Sequence, residues 1–334
     1  MIVAVDAGYG YVKGVGEGGT AVAFPSIAVG ERGTGELARA LGGPAGPGHR
    51  LQVLQGDGPA QTWLVGEAAL AAGGERSWEA QASERADYPP LVLTALGLLH
   101  ADRVRLALGL PLGLYLQPRE RTSLRARLGG LEAWVSVDGA DAAHLRVAEA
   151  RIFPQAAGAY FSAALHERGL AAKPCGVVDV GFRTTDYLYL LPTSRGTAQP
   201  EERLSGSLDL GVGSAYRDVA RQIAAESGVL VPAAAVERAA GTGQMTVRGR
   251  AVDLGARLAD AQRAVAEGIA AHVRRAWGPD LDLVGALLIS GGGGQALYPH
   301  LAELSPLARL APDPLFANAR GFQALLAAQG AAAR

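Results

Sequence analysis

Residues Gly176 to Leu190 read GVVDVGFRTTDYLYL. Val177 and Val178 lead into Asp179, Gly181 turns the chain beside Arg183, Thr184 and Thr185, and Tyr187, Tyr189 and their leucine neighbours resume an apolar run. That order predicts strand, polar tip, strand. A carboxylate at the end of a buried strand, followed by a glycine-containing hairpin with hydroxyls, can hold hydrated Mg²⁺ and offer backbone N–H groups to a phosphate. A plain β-hairpin has the same spelling, since Asp, Gly and Thr are common turn residues.

The chain opens the same way. Met1 to Val5 is an apolar run ending in Asp6, Ala7-Gly8-Tyr9-Gly10 forms a tip, and Tyr11 to Val15 resumes as a second strand carrying Lys13. Two such units predict an internally duplicated fold with two phosphate hairpins facing one cleft. Only two of the 31 basic side chains are lysine, Lys13 and Lys173. Lys13 sits just past the first tip, where a compact ammonium could meet a phosphate as a point charge.

VDAGYGYVKG and VVDVGFRTTD resemble the two phosphate motifs of the actin, sugar-kinase and heat-shock-chaperone ATPase superfamily. The pattern is most similar to its prokaryotic actin-like proteins of the plasmid-segregation type and their archaeal relatives. The resemblance implies an α/β fold of two RNase H-like (actin-like) domains with a nucleotide cleft between them. ATP or GTP would lie there with Mg²⁺ on Asp6 and Asp179. The hairpin residues Gly8, Tyr9, Gly10 and Gly181, with Lys13, Arg183, Thr184 and Thr185, would bind the phosphates. In actins the helix linking the domains bears a glutamine that orients the attacking water, and Gln155 matches it in type and order. An amide suits that task because it both donates to and accepts from water, and phosphoryl transfer depends mainly on positioning and charge neutralisation.

Other stretches extend the resemblance. WLVGEAA (Trp63 to Ala69) is similar to the end of the small outer subdomain of the first domain, and Gly109-Leu110-Pro111-Leu112 to a segment further along that domain. Leu208-Asp209-Leu210-Gly211-Val212-Gly213 is similar to the passage into the outer part of the second domain; its glycines either lie against the nucleotide or simply turn the chain. Gly291-Gly292-Gly293-Gly294, after a core strand over Leu283 to Ser290, is similar to the adenosine motif. Four residues without side chains let a backbone approach a flat or phosphorylated ligand. Phe316-Ala317-Asn318 with Gly321 is similar to the family's closing motif. The implied domains are 1–155 with an outer subdomain at about 28–75, 156–315, and a helix over 316–334 returning to the first.

Composition bounds the rest. At 334 residues the chain can hold two domains, and 49% hydrophobic residues suit globular folding. The net charge of −1 gives no overall attraction to nucleic acid or an acidic membrane. No direct nucleic-acid binding is expected, and any DNA would be reached through an adaptor. No apolar run approaches the roughly 20 residues of a membrane helix, and MIVAVDAG lacks a targeting signal, so the expected compartment is the cytoplasm. The single cysteine, Cys175, excludes an internal disulfide and a cysteine-cluster zinc site.

Coarse patterning adds a strand over Thr20 to Ala28 broken by Pro25, a loop over 30–48, and a hairpin over Leu51 to Val65. It also gives a buried helix from Tyr88 to His100 and a basic helix from Arg119 to Leu128. Edge strands are expected at Trp134 to Val137 and Leu145 to Ala148, with a helix opening at Pro154. The alanine-rich stretches Val229 to Gly241 and Ala251 to Trp277 are expected to be mostly helical, the second the longer, and a helix is expected from Gln295. The expected activity is a filament-forming, self-associating actin-like ATPase, for plasmid segregation or cytoskeletal positioning. The alternatives are a small-metabolite kinase of the same superfamily and a nucleotide-gated adaptor that does not polymerise.

Overall fold

The computed structural model describes residues 1–31, 47–76 and 83–332. Most of the loop expected over 30–48 lies outside the described residues. The chain divides into two compact units, Met1–Ser162 with Phe316–Arg334, and Ala163–Leu315.

The first unit is built on a nine-stranded sheet. In chain order its elements are β1 (Ile2–Ala7), β2 (Tyr11–Val15), β3 (Ala21–Pro25), β4 (Ala28–Gly30), β5 (His49–Leu54), β6 (Gln61–Val65), α1 (Glu67–Ala71), α2 (Tyr88–Leu98), β7 (Arg103–Leu110), α3 (Leu112–Tyr115), α4 (Pro118–Leu128), β8 (Glu132–Val137), β9 (Ala143–Pro154) and α5 (Ala157–Ala164). The strand order is β3-β2-β1-β7-β9-β8-β5-β6-β4. β1 is antiparallel to β2 and parallel to β7. Both faces of β1 are covered, which is why it reads as an unbroken apolar run. Val3 and Val5 join the core that includes Leu91 and Leu96 of α2, whereas Ala4 joins Phe322 and Leu326 of the last helix, Ala317–Ala332. Two prolines in the first turn of α2 suit the fixed φ and missing donor to positions that need no N–H.

The second unit repeats the central motif. It contains β10 (Cys175–Val180), β11 (Thr185–Pro192), β12 (Ala198–Pro200), β13 (Gly206–Leu208), α6 (Gly213–Ser227), α7 (Ala233–Ala240), β14 (Gln244–Val247), β15 (Arg250–Asp253), α8 (Gly255–Trp277), β16 (Ala286–Ser290), α9 (Gly291–Leu301) and β17 (Ala308–Leu310). Its main sheet runs β12-β11-β10-β16-β17, with β13 on β11. Every residue of β10 is buried. Trp277, at the end of α8, packs edge-on to Tyr189 and donates its indole N–H to Leu204 O at 2.7 Å. Gly176 makes room for it: a Cβ there would lie 2.7 Å from the indole ring.

Four sequence expectations are corrected. The Thr20 to Ala28 run is two strands, because Pro25 ends β3 and Ser26-Ile27 separate it from β4, which pairs with β6 at the other end of the sheet path. Neither β8 nor β9 is an edge strand: β8 lies between β9 and β5, and β9 lies between β7 and β8 and continues through Pro154, which pairs with Leu110. Pro154 therefore closes a strand instead of opening a helix. Ala251 belongs to a hairpin, β14 to β15, turned by Arg248 and Gly249 at positive φ, so the long helix begins only at Gly255. The four glycines are themselves the first turn of α9, which starts four residues before Gln295.

Candidate functional site

In the first unit, Asp6 and Lys13 are cross-strand partners near the tip of the β1–β2 hairpin. Alternation along a strand puts such partners on one face, side by side. Lys13 Nζ lies 3.0 Å from Asp6 Oδ2, and the Gln155 side-chain amide donates to Asp6 Oδ1 at 2.6 Å. Asp6 and Gln155 are buried, and Lys13 nearly so. Each oxygen of this carboxylate thus has one donor, which fixes its plane.

Gln155 is delivered there by backbone. Its N–H donates to Leu110 O at 2.8 Å, and Ala156 then takes a φ of 66°, turning the chain sharply from β9 into α5. A left-handed alanine costs about 1–2 kcal/mol, so neighbouring contacts must hold it. Asn318 does so: its Oδ1 accepts from both Ala156 N and Ala159 N at 3.1 Å, satisfying donors at the start of α5. The last helix reaches this position because Gly158 and Gly321 interlock. A Cβ on Gly321 would fall 1.8 Å from Gly158 O. Phe322 fills the space left by the absent side chain of Gly109, where a Cβ would lie 2.6 Å from its ring and 3.1 Å from Asp6 Oδ1.

The hairpin tip is held from behind. Gly10 O accepts the Ser26 N–H at 2.9 Å and also an Arg76 guanidinium N–H. Arg85 and Tyr88 are completely buried beneath it, with Arg85 over the Tyr9 ring. Burial pushes the Tyr88 phenol well above its ordinary range, opposed by the positive charge of Arg85 and reinforced by the negative charge of Asp6.

In the second unit Asp179 holds the equivalent place. It lies beside the β10–β11 hairpin, and β10, like β1, has an antiparallel neighbour on one side and a parallel one, β16, on the other. Asp179 pairs in register with Asp186 and with Ser290, and Asp186 pairs with Ser207. Four polar residues therefore form one row across the end of the sheet. Asp179, Asp186 and Ser290 are buried, and Ser207 Oγ donates to Asp186. Gly181 N donates to Thr184 O at 2.8 Å, closing the tip, while Gly181 O and Phe182 O accept from Val212 N and Gly213 N. Thr185 is buried and its hydroxyl donates to Leu210 O at 2.7 Å, and Arg183 pairs with Asp209 at 3.0 Å.

The glycines fall into two roles. Gly211 lets the chain cross the hairpin, since a Cβ would lie 2.6 Å from Phe182 O. Gly291, at a φ of 82°, and Gly293 let the α9 N-terminus close on the same hairpin: their Cβ atoms would fall 2.3 and 2.9 Å from Val180 O. A Cβ on Gly294 would fall 3.2 Å from Ile289, whereas one on Gly292 would meet only Leu315, at 3.4 Å. A helix N-terminus brings unpaired N–H groups and a positive dipole end, both suited to an anion.

Asp186, Ser207, Ser290, Arg76, Arg85 and Asn318 were not singled out by sequence as chemical groups. Asp186 was detectable, because it stands seven positions after Asp179 around a short tip, the spacing of a cross-strand pair. The arginines carried no motif. On α8, Arg263 pairs with Asp260 at 2.7 Å. Among the described residues no three His, Cys, Asp or Glu side chains gather as a metal site, and no helix is long and apolar enough to cross a membrane.

Comparison with known proteins bears on the family and the fold. Residues 4–158 match the family model for the N-terminal domain of actin-like proteins, and residues 177–303 match that for the C-terminal part of the archaeal, MreB-like actin homologue. An archaeal actin homolog of Thermoplasma acidophilum is 29% identical over 343 residues, covering 97% of this chain and 98% of its own. Among solved structures, a non-polymerisable quadruple mutant of pCBH ParM is 25% identical with a TM-score of 0.82, over 98% of this chain and 99% of its own. Ta0583, an archaeal actin homolog in complex with ADP, is 23% identical with a TM-score of 0.76 over the same shares. The two family models together span most of the sequence, the whole-length relatives are actin homologues, and the fold is theirs: the chain belongs to the prokaryotic actin-like proteins, of the ParM type.

Proposed function

We propose that this protein binds ATP or GTP with Mg²⁺, hydrolyses it, and assembles head-to-tail into filaments whose lifetime the hydrolysis controls. The observation that carries this is the duplication. Asp6 and Asp179 occupy the same place beside a glycine hairpin, each on a strand with one antiparallel and one parallel neighbour. A ParM of Clostridium botulinum solved as a 15-stranded filament has this fold, with a TM-score of 0.84, and the Ta0583 structure carries ADP.

The residues fit such a ligand. Gly291 and Gly293 let the α9 N-terminus close on the β10–β11 hairpin beside Asp179, and a polyphosphate suits the N–H groups of a helix N-terminus. The first hairpin supplies one buried aspartate, Asp6, and the second two, Asp179 and its cross-strand partner Asp186, a small carboxylate set of the kind Mg²⁺ uses when phosphates and water complete its shell. When bound, Mg²⁺ would neutralise phosphate charge as the bond to the leaving group lengthens. Lys13 would then share its charge between Asp6 and a phosphate. Gln155 would position water, with Asp6 holding its amide in place. A DNA cargo would be reached through an adaptor, because a net charge of −1 offers no general attraction.

Light scattering at rising protein concentration, with Mg-ATP, Mg-GTP or no nucleotide, tests the assembly. Nucleotide-dependent scattering above a critical concentration is expected. A flat trace at every accessible concentration removes the filament. Phosphate transfer to a small alcohol faster than to water would make it a kinase.

A further inference from the structure

We propose that Arg76 and Arg85, buried behind the first hairpin, are positioning residues that aim its backbone N–H groups at phosphate. This rests on the nucleotide binding proposed above and deepens it.

Both side chains are almost wholly buried, at 6% and 1% exposure. Burying a guanidinium is costly unless its partners are well placed, and here the partners are the hairpin itself for Arg76 and the segments that back it for Arg85. Arg76 donates to Gly10 O, and its guanidinium lies 5.6 Å from the centre of the Tyr11 ring. Arg85 is held by Asp87 at 3.1 and 3.0 Å, donates to Ser26 Oγ at 3.3 Å, and lies 5.5 and 5.8 Å from the Tyr9 and Tyr88 rings. Ser26 in turn donates its N–H to Gly10 O at 2.9 Å. One arginine therefore grips the Gly10 carbonyl directly, and the other grips the residue that does so.

The consequence follows from peptide geometry. In a planar trans unit the C=O and the following N–H point in opposite directions. With the Gly10 carbonyl held by Ser26 N and Arg76, the Tyr11 N–H of the same peptide unit points away from both. The second hairpin uses the same device with backbone alone: Val212 N and Gly213 N hold Gly181 O and Phe182 O. In the first hairpin one of the two holding groups is a cation, which adds positive charge behind the place where phosphates would rest.

Calorimetric titration of the full chain with Mg-ADP and, separately, with adenosine tests this. Arg76→Ala is expected to weaken Mg-ADP binding about tenfold or more and to change adenosine binding less than about twofold, with Arg76→Lys recovering part of the loss. Arg85→Lys is expected to shift Mg-ADP in the same direction, again sparing adenosine. Equal weakening of both ligands would mean that the arginines only hold the fold together, and unchanged Mg-ADP binding would overturn the inference outright. If Arg76→Ala does not fold, Arg76→Lys is read alone, with a loss confined to Mg-ADP expected and an equal loss contradictory. A wild-type protein that binds no nucleotide overturns the functional reading and this inference with it. Wild-type binding that Arg76→Ala leaves intact overturns this inference alone.

Discussion

The Gln155 side-chain amide donates to Asp6 Oδ1 at 2.6 Å, joining the end of β9 to β1 across 149 residues of chain. If Gln155 positions water for hydrolysis, removing its amide should slow turnover while leaving nucleotide binding nearly intact. Gln155→Ala is expected to lower the rate of phosphate release about 100-fold, the scale on which lost positioning is felt, with the dissociation constant for ATP changed little. Single-turnover release and calorimetry on the same preparation check both halves.

Asn318 should matter to that glutamine without touching a nucleotide. Asn318→Ala removes the acceptor for Ala156 N and Ala159 N, so a loss of about 0.5–2 kcal/mol in chemical denaturation is expected. Asn318→Asp keeps the acceptor and should recover most of it.

The Gly158–Gly321 crossing leaves no room for a methyl group. With a Cβ on Gly321 only 1.8 Å from Gly158 O, Gly321→Ala should destabilise by about 3 kcal/mol or more. Gly130→Ala is not an equal control, because its φ of 77° brings its own strain. Gly30→Ala, with open space around its Cβ, is the better one.

Much of this was legible in the sequence because the two hairpins announce themselves through residue order: apolar run, Asp, glycine tip, apolar run. Asp6, Lys13 and Asp179 follow from that order by strand alternation alone. Gln155 was expected at a helix opening, yet it sits just past the end of β9. The turn that aims it depends on Ala156, whose left-handed conformation no local signal marks, because Asn318 imposes it from far along the chain. Arg76 and Arg85 were hidden for a related reason: an arginine reads as surface until the fold buries it against aromatic rings. The β14–β15 hairpin was overlooked because its four-residue strands are too short for a period to register.

Within α9 the four glycines should not be equivalent. Gly293→Ala would put a methyl group 2.8–2.9 Å from Val180 and Gly181, whereas Gly292→Ala meets only Leu315 at 3.4 Å. Gly293→Ala is expected to weaken nucleotide binding at least about tenfold, and Gly292→Ala to weaken it less. Equal effects would mean that the glycines serve the nucleotide surface directly instead of the helix-to-hairpin closure.

Glu167 carries a pH signature. Hydrogen bonds from Lys173, opposed by partial burial, and then the charges of Arg309 and Lys173, hold its carboxyl below the ordinary 4.5. A depressed carboxylate adds stability above its unfolded pKa and loses it as pH falls through the folded value. Glu167→Gln should therefore be less stable than wild type at pH 7, with the gap closing as pH drops below about 4.5, in denaturant melts across that range.

The central claim, hydrolysis coupled to assembly at Asp6 and Asp179, is tested most directly by phosphate release measured alongside pelleting in Mg-ATP, for wild type and Asp179→Asn, at concentrations on both sides of the onset of assembly. Wild type is expected to release phosphate faster once pelletable polymer forms, and the variant to release it at a small fraction of that rate. Equal release from both proteins, or none from wild type at any concentration, would contradict it.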